Sequence, residues 1–162
     1  MLKWTWLSAV VIVLDQITKY MASTMLLMYK PVAIFPMFNF TLMHNTGAAF
    51  SFLDDAGGWQ RWFFTVIALA VSTFLIVWIK RLTAKEKLQA IALALILGGA
   101  IGNVIDRIWL GYVVDFIDVY YQQWRWPAFN IADSAISIGA VLIIIDTIKA
   151  ARSTDNHKTD RA

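Results

Sequence analysis

Cysteine is absent from the 162-residue sequence, histidine occurs only twice and proline only three times. Without thiols there is no disulfide framework, no cysteine nucleophile and no thiolate metal site. Two separated histidines supply no ligand set for zinc, and no metal or other cofactor is expected. Charge is also scarce. Charged residues make up 15% of the chain, against about 25% in ordinary soluble domains. Hydrophobic residues make up 59%, above the usual ~45–50%. A disordered polar chain and a basic nucleic-acid-binding domain are therefore excluded, and the net charge of +3 is too small to change that. The length suits a single domain, taken as residues 1–162. The abundance of apolar residues marks a membrane protein.

Four stretches are long and apolar enough to be spans, approximately Trp4–Met28, Trp62–Ile79, Leu88–Ile108 and Ala128–Ile148. Asp15, Gln16 and Lys19 interrupt the first, and no small-x-small cleavage site follows, so it reads as a retained helix rather than a secretory signal. Lys3, Lys80, Arg81, Lys85, Lys87, Lys149, Arg152, Lys158 and Arg161 fall on one side of these spans. By the positive-inside rule both termini and the middle loop face the cytoplasm. The connections at about 29–61 and 109–127 then face outward.

The outward segments carry patterns of their own. Phe38, Phe40 and Leu42 alternate with Asn39, Thr41 and Met43, the period of a half-buried strand. A break at Asn45-Thr46-Gly47 before Ala48–Leu53 predicts a hairpin, with a turn at Asp54–Gly58. Tyr112–Tyr121, rich in β-branched and aromatic residues, is a candidate to join that sheet. Trp59, Trp62, Trp109, Trp124 and Trp126 cluster near the outward boundary, where amphipathic rings favour the headgroup level. The polar tail after Ala151 reads as frayed.

Ionisable residues inside spans are costly and point to function. Asp15 and Lys19 share one helix face at i, i+4, either as an internal ion pair or as part of a site. Gly99, Asn103, Asp106 and Arg107 share a face of the third helix. Gly98 and Gly102 form a small-xxx-small pair that favours close helix packing. Arg107, near the outer boundary, has the fork geometry to meet a lipid phosphate. Asn130 is a good N-cap for the fourth helix, with Asp133 at capping-box spacing. Asp115 and Asp118 lie 18 and 15 residues before Asp133, a loop length that can set one of them against it. Two carboxylates sharing one water can hydrolyse a peptide without Ser, Cys or metal, because like charges close together keep one proton between them. His44 beside a turn reads as a structural residue. The available serines have only Lys19 as an intramembrane base, which leaves a Ser–Lys enzyme poorly supported.

At these residues the sequence resembles the lipoprotein signal peptidases (signal peptidase II), bacterial inner-membrane aspartic proteases. The matching stretches are Asp15-Gln16-Ile17-Thr18-Lys19, 45–51 (NTGAAFS), 98–107 (GGAIGNVIDR), Val114-Asp115-Phe116 and 129–134 (FNIADS). The resemblance implies a membrane all-α fold, four transmembrane helices with a small outward β-cradle and a short interfacial helix. It implies cleavage of diacylglyceryl-modified prolipoproteins just before the lipidated cysteine, with Asp115 and Asp133 as the catalytic dyad. Asp118 matches no dyad position. Asp15, Asn45, Asn103, Arg107 and Asn130 resemble the polar residues around the dyad; Lys19, Gly99 and Asp106 are expected to support substrate binding with them. The first helical turn should favour an ionised Asp133, and apolar neighbours a protonated Asp115. The expected partners are prolipoproteins and membrane phospholipid, without nucleic acid, for a monomer in the bacterial inner membrane whose site lies near the outer leaflet. The alternative is a small ion or proton transporter using the buried Asp, Lys and Arg, which the lack of an inverted repeat disfavours.

Overall fold

The computed structural model describes residues 1–47 and 58–159, with side chains through residue 151. Helices follow the apolar runs: α1 (Thr5–Met25), α2 (Trp59–Arg81), α3 (Lys87–Trp109) and α4 (Ile131–Thr159). Three of them, α2, α3 and the Ile131–Ala151 part of α4, are long and apolar enough to cross a membrane, with mean hydropathies of 2.3, 2.0 and 2.0. α1 is 21 residues long and turns Asp15 and Lys19 inward, while Val13, Leu14 and Ile17 remain exposed on its other side. α4 departs from expectation at both ends. It starts at Ile131 because residues 127–130 are held beside a strand, and it continues past Ala151 because no glycine or proline stops it. Among the described residues there is no separate interfacial helix. The single 3-10 turn Leu2–Trp4 leads directly into α1, and strands occupy the described outward connections.

α3 is the central helix, packed against α1, α2 and α4. Its small residues allow that. A side chain on Gly98 would reach 2.8 Å from Val11 Cβ of α1, and one on Gly102 would come 2.6 Å from Asp15 Oδ2. Packing is thus the role of this glycine pair, as the spacing implied. Leu93 and Leu97 of α3 join Leu75 and Ile79 of α2 in one apolar core.

The sheet is antiparallel in the order β1 (Val32–Phe35), β2 (Phe38–Asn45), β3 (Val113–Tyr121), β4 (Trp124–Arg125). Tyr112–Tyr121 joins it as expected, pairing Asn45 with Val113 and Asn39 with Asp118. The hairpin partner of β2 is the upstream β1, turned through Pro36-Met37, with Met37 at φ 70°. Proline followed by a residue of positive φ is the type II arrangement. The second arm expected at Ala48–Leu53 and the turn at 54–57 lie outside the described residues. The first half of β2 inverts the expected polarity. Asn39 and Thr41 are buried with Leu42, while Phe38 and Phe40 are only half-buried, Phe38 stacked on Phe35 and Phe40 tilted against Phe116. The cause is Asp118, a buried carboxylate that needs donors.

Candidate active site

Three segments converge where the sheet meets the helices. β3 leaves α3 by a short turn, and Asp106 of α3 pins it by accepting the Val114 N–H at 3.1 Å. The chain returns along β3, where Phe129 pairs with Ile117. This return delivers Asn130 and the first turn of α4 beside Asp115.

Asn130 joins the two sides. Its Nδ2 donates to Asp115 Oδ1 at 2.7 Å, while its Oδ1 accepts the Asp133 N–H at 2.9 Å. Asp133 Oδ2 accepts the Asn130 N–H in return at 3.3 Å. The capping box anticipated from spacing is therefore formed, with an Asn and an Asp as its members. Asp133 Oδ1 also accepts from Asn103 Nδ2 at 2.8 Å, and Asp115 Oδ2 from Asn45 Nδ2 at 3.1 Å. Each carboxylate is thus held by side-chain amides, and one residue touches both.

Behind the amides lies a buried ionic network. Lys19 Nζ sits 2.8 Å from Asp15 and 2.9 Å from Asp106. It also donates to Asn103 Oδ1 at 2.9 Å, which fixes the Asn103 amide with its nitrogen toward Asp133. Asp15 Oδ1 accepts the Ala132 N–H at 2.9 Å, satisfying another free donor of the α4 N-terminus. The i, i+4 pair in α1 is therefore both an internal ion pair and a brace for the site. Arg107 donates to the carbonyls of Asn103 and Gly47, each at 3.3 Å, and lies 5.6 Å from the Phe64 ring centre. Its Nε is buried and has no partner among the described residues.

Burial raises the Asp115 carboxyl to about 7, and the charge of nearby Asp133 adds to that effect. The amides of Asn45 and Asn130 oppose it. A carboxyl poised there holds a proton in neutral solution for a substantial part of the time. Burial lowers the pKa of His44, which stacks on Tyr112 at 3.8 Å.

The carboxylates open onto different spaces. A cleft of about 570 Å³ exposes Asp133, Asn103 and Arg107 and continues between Phe129, Ile136 and Ile138. A second, of about 430 Å³, is lined by Asp115 together with His44, Asp118 and Arg125. The two share Asn45 and the Trp126-Pro127-Ala128 segment.

The structure thus gathers Asp115, Asp133, Asn45, Asn103, Arg107 and Asn130 around one junction, with Asp15, Lys19 and Asp106 behind it. Gly99 is placed differently. A side chain there would collide with the Ala132 carbonyl, so it lets α4 approach α3 rather than lining a cleft. Asn45 ends β2 in extended conformation and caps Gly47 N–H at 3.1 Å, so it is not a left-handed turn residue. Asp118 is engaged elsewhere, accepting from Asn39, Thr41 and Arg125 at 3.2, 2.9 and 2.6 Å. Sequence reasoning missed Gln16, whose Nε2 donates to Asp106 Oδ1 at 2.8 Å. Its place inside an apolar run, between Asp15 and Lys19, was the available signal.

A family model described as signal peptidase (SPase) II matches residues 7–149. The chain is 58% identical over 147 residues to a lipoprotein signal peptidase of Teredinibacter turnerae, covering 91% of this chain and 88% of that protein. It is 60% identical over 144 residues to one of Acinetobacter baumannii, covering 89% and 82%. A bacterial membrane enzyme solved at 2.3 Å superposes with a TM-score of 0.83 at 33% identity, covering 92% of this chain and 89% of the other.

Proposed function

The chain belongs to the signal peptidase II family, and from that premise we propose that it cleaves with an aspartic dyad, Asp115 and Asp133, set at the outer boundary of a membrane. It is a protease that removes signal peptides from prolipoproteins, and the transporter reading is not favoured. The observation that carries the mechanism is the Asn130 clamp, because a single residue holds the Asp115 carboxylate with its side-chain amide and the Asp133 carboxylate with its backbone N–H.

The chemistry follows from the two environments. Both carboxyl groups receive donors on both oxygens, but Asp133 alone lies in the first turn of a helix, where the N-terminal dipole suits a carboxylate. Asp115, poised at about 7, supplies the proton. Asp133 takes a proton from water as the water oxygen attacks the scissile carbonyl, whose oxygen Asp115 polarises by hydrogen bonding. Collapse of the tetrahedral intermediate breaks the C–N bond, and the amine of the lipidated cysteine leaves with a proton from the pair. The dyad shares its protons, so these are dominant microstates of one unit.

The membrane setting extends the reading. α1 serves as a fourth span, with an apolar outer face and its charges paired inside. Basic flanks support cytoplasmic termini and an outward sheet, and exposed Trp59, Trp62, Trp109, Trp124 and Trp126 support a position at the headgroup level. The chain then acts as one integral domain of the bacterial inner membrane, active as a monomer. The acyl chains of the substrate hold its cleavage site at the depth of the dyad, and Arg107 lines the cleft beside Asp133. The test is an assay of the purified protein in detergent with matched prolipoprotein carrying or lacking the diacylglyceryl group. Release of the signal peptide from the lipidated form alone is the expected result. Equal release from both forms would overturn the role of the lipid, and no release would overturn the protease reading.

A further inference from the structure

Asp133 and Asp115 line separate clefts, and the short segment Trp126-Pro127-Ala128 borders both. The residues on either side of Pro127-Ala128 use their backbone to hold this segment against β3. Trp126 N–H donates to the Val119 carbonyl at 2.8 Å, and Phe129 N–H to the Ile117 carbonyl at 3.1 Å. The Phe129 carbonyl accepts from Phe116 and Ile117 at 3.1 and 2.8 Å.

Trp126 pairs opposite Val119 and Phe129 opposite Ile117, so three steps on this segment match two on β3, and the slip leaves Ala128 outside the ladder. The Ala128 N–H and carbonyl have no partner among the described residues, and Ala128 is only half-buried. At a cleft wall such backbone groups are completed by water or by a ligand. They lie in the segment that, together with Asn45, borders both clefts.

We propose that Ala128 is the pairing point for the substrate backbone: an extended peptide crosses the dyad from one cleft to the other and exchanges two hydrogen bonds with Ala128. Such pairing is the one-residue form of strand addition, in which the backbone supplies affinity and adjacent pockets supply selectivity. The chemistry of the clefts orders the peptide. The larger one runs down α4 between Ile136 and Ile138 and takes the apolar residues before the scissile bond. The smaller, bordered by Tyr29, Met43 and His44, takes the residues that follow the lipidated cysteine. Extended geometry at Ala128 also presents the scissile carbonyl between the two carboxylates, which a helical signal peptide would not do.

This rests on the protease reading, and the experiment separates the two. Synthetic diacylated prolipoprotein peptides, each with one backbone N-methyl group at a position flanking the scissile bond, are compared with the unmodified parent. Cleavage of the parent tests the reading itself. Given that cleavage, one N-methylated position should lose about tenfold in kcat/KM, mainly through KM, as expected for a lost hydrogen bond in a partly desolvated site. The positions immediately beside it should be tolerated, because their N–H groups point away. Ala128→Pro, which removes the N–H, should cause a similar loss with the parent and little further loss with the sensitive peptide. A flat N-methyl scan, or losses that multiply independently in the variant, would overturn the pairing. Should Ala128→Pro fail to accumulate, the scan on the unaltered enzyme decides alone.

Discussion

Lys19 is buried within 3 Å of two carboxylates and of an asparagine that itself holds Asp133. An ammonium group has only donors, so it accepts no arrangement of Asn103 except the one with the amide oxygen toward it. Lys19→Met should therefore let Asn103 turn over and face Asp133 with oxygen. Turnover should fall by roughly tenfold or more with little change in KM, and the loss should be absent in an Asn103→Ala background. Steady-state kinetics of the single and double variants check this, and equal losses in both backgrounds would reduce Lys19 to a stabilising ion pair. Asn45 offers a second case. Because it is extended and donates to Asp115, glycine cannot replace it. Asn45→Gly should lose activity as Asn45→Ala does, while both variants accumulate as folded protein by size-exclusion chromatography. The sequence showed these residues as polar intrusions in apolar runs, but not how the amides are oriented, since orientation depends on partners far along the chain.

The sheet shows where periodicity is informative and where it misleads. Alternation in Phe38–Met43 marked a strand correctly, yet its first half buries the polar side, and of the apolar residues only Leu42 is fully buried. In water an apolar stripe seeks the interior, but here Asp118 draws Asn39 and Thr41 inward and leaves the phenylalanines at the boundary. β1 escaped notice because its four residues show no alternation and are all exposed. Its only signal was the Pro36-Met37 turn. Apart from the polar extension of α4 to Thr159, the helices were legible to within a few residues because apolar length alone specifies them. At this scale Asp118→Asn is the informative variant. It weakens the contact with Arg125 while leaving the dyad clamps intact, so it should lower stability by about 1–3 kcal/mol. Thermal unfolding in detergent measures that, and signal-peptide release by the folded fraction should stay near normal.

At the scale of the whole molecule, the bundle brings the start of α4 and the sheet together at one end, and both carboxylates with them. Basic residues gather toward the opposite end, so orientation and chemistry are one question. A reporter fused after Ala162 should be active only in the cytoplasm, and one inserted between Asp54 and Gly58 only outside; the reverse pattern would remove the outward site. The dyad assignment itself was not legible from spacing, which left Asp115 and Asp118 as equals. Their partners distinguish them: Asp118 is saturated by the sheet, whereas Asp115 shares Asn130 with Asp133. The most direct test is the pH profile of signal-peptide release by the purified enzyme, beside Asp115→Asn and Asp133→Asn, with substrate binding measured in parallel. If Asp115 must hold a proton, activity falls as pH rises through about 7, where that proton is lost. Each substitution should then abolish turnover by at least ~10²-fold while folding and binding persist. Robust cleavage by either variant would contradict the dyad.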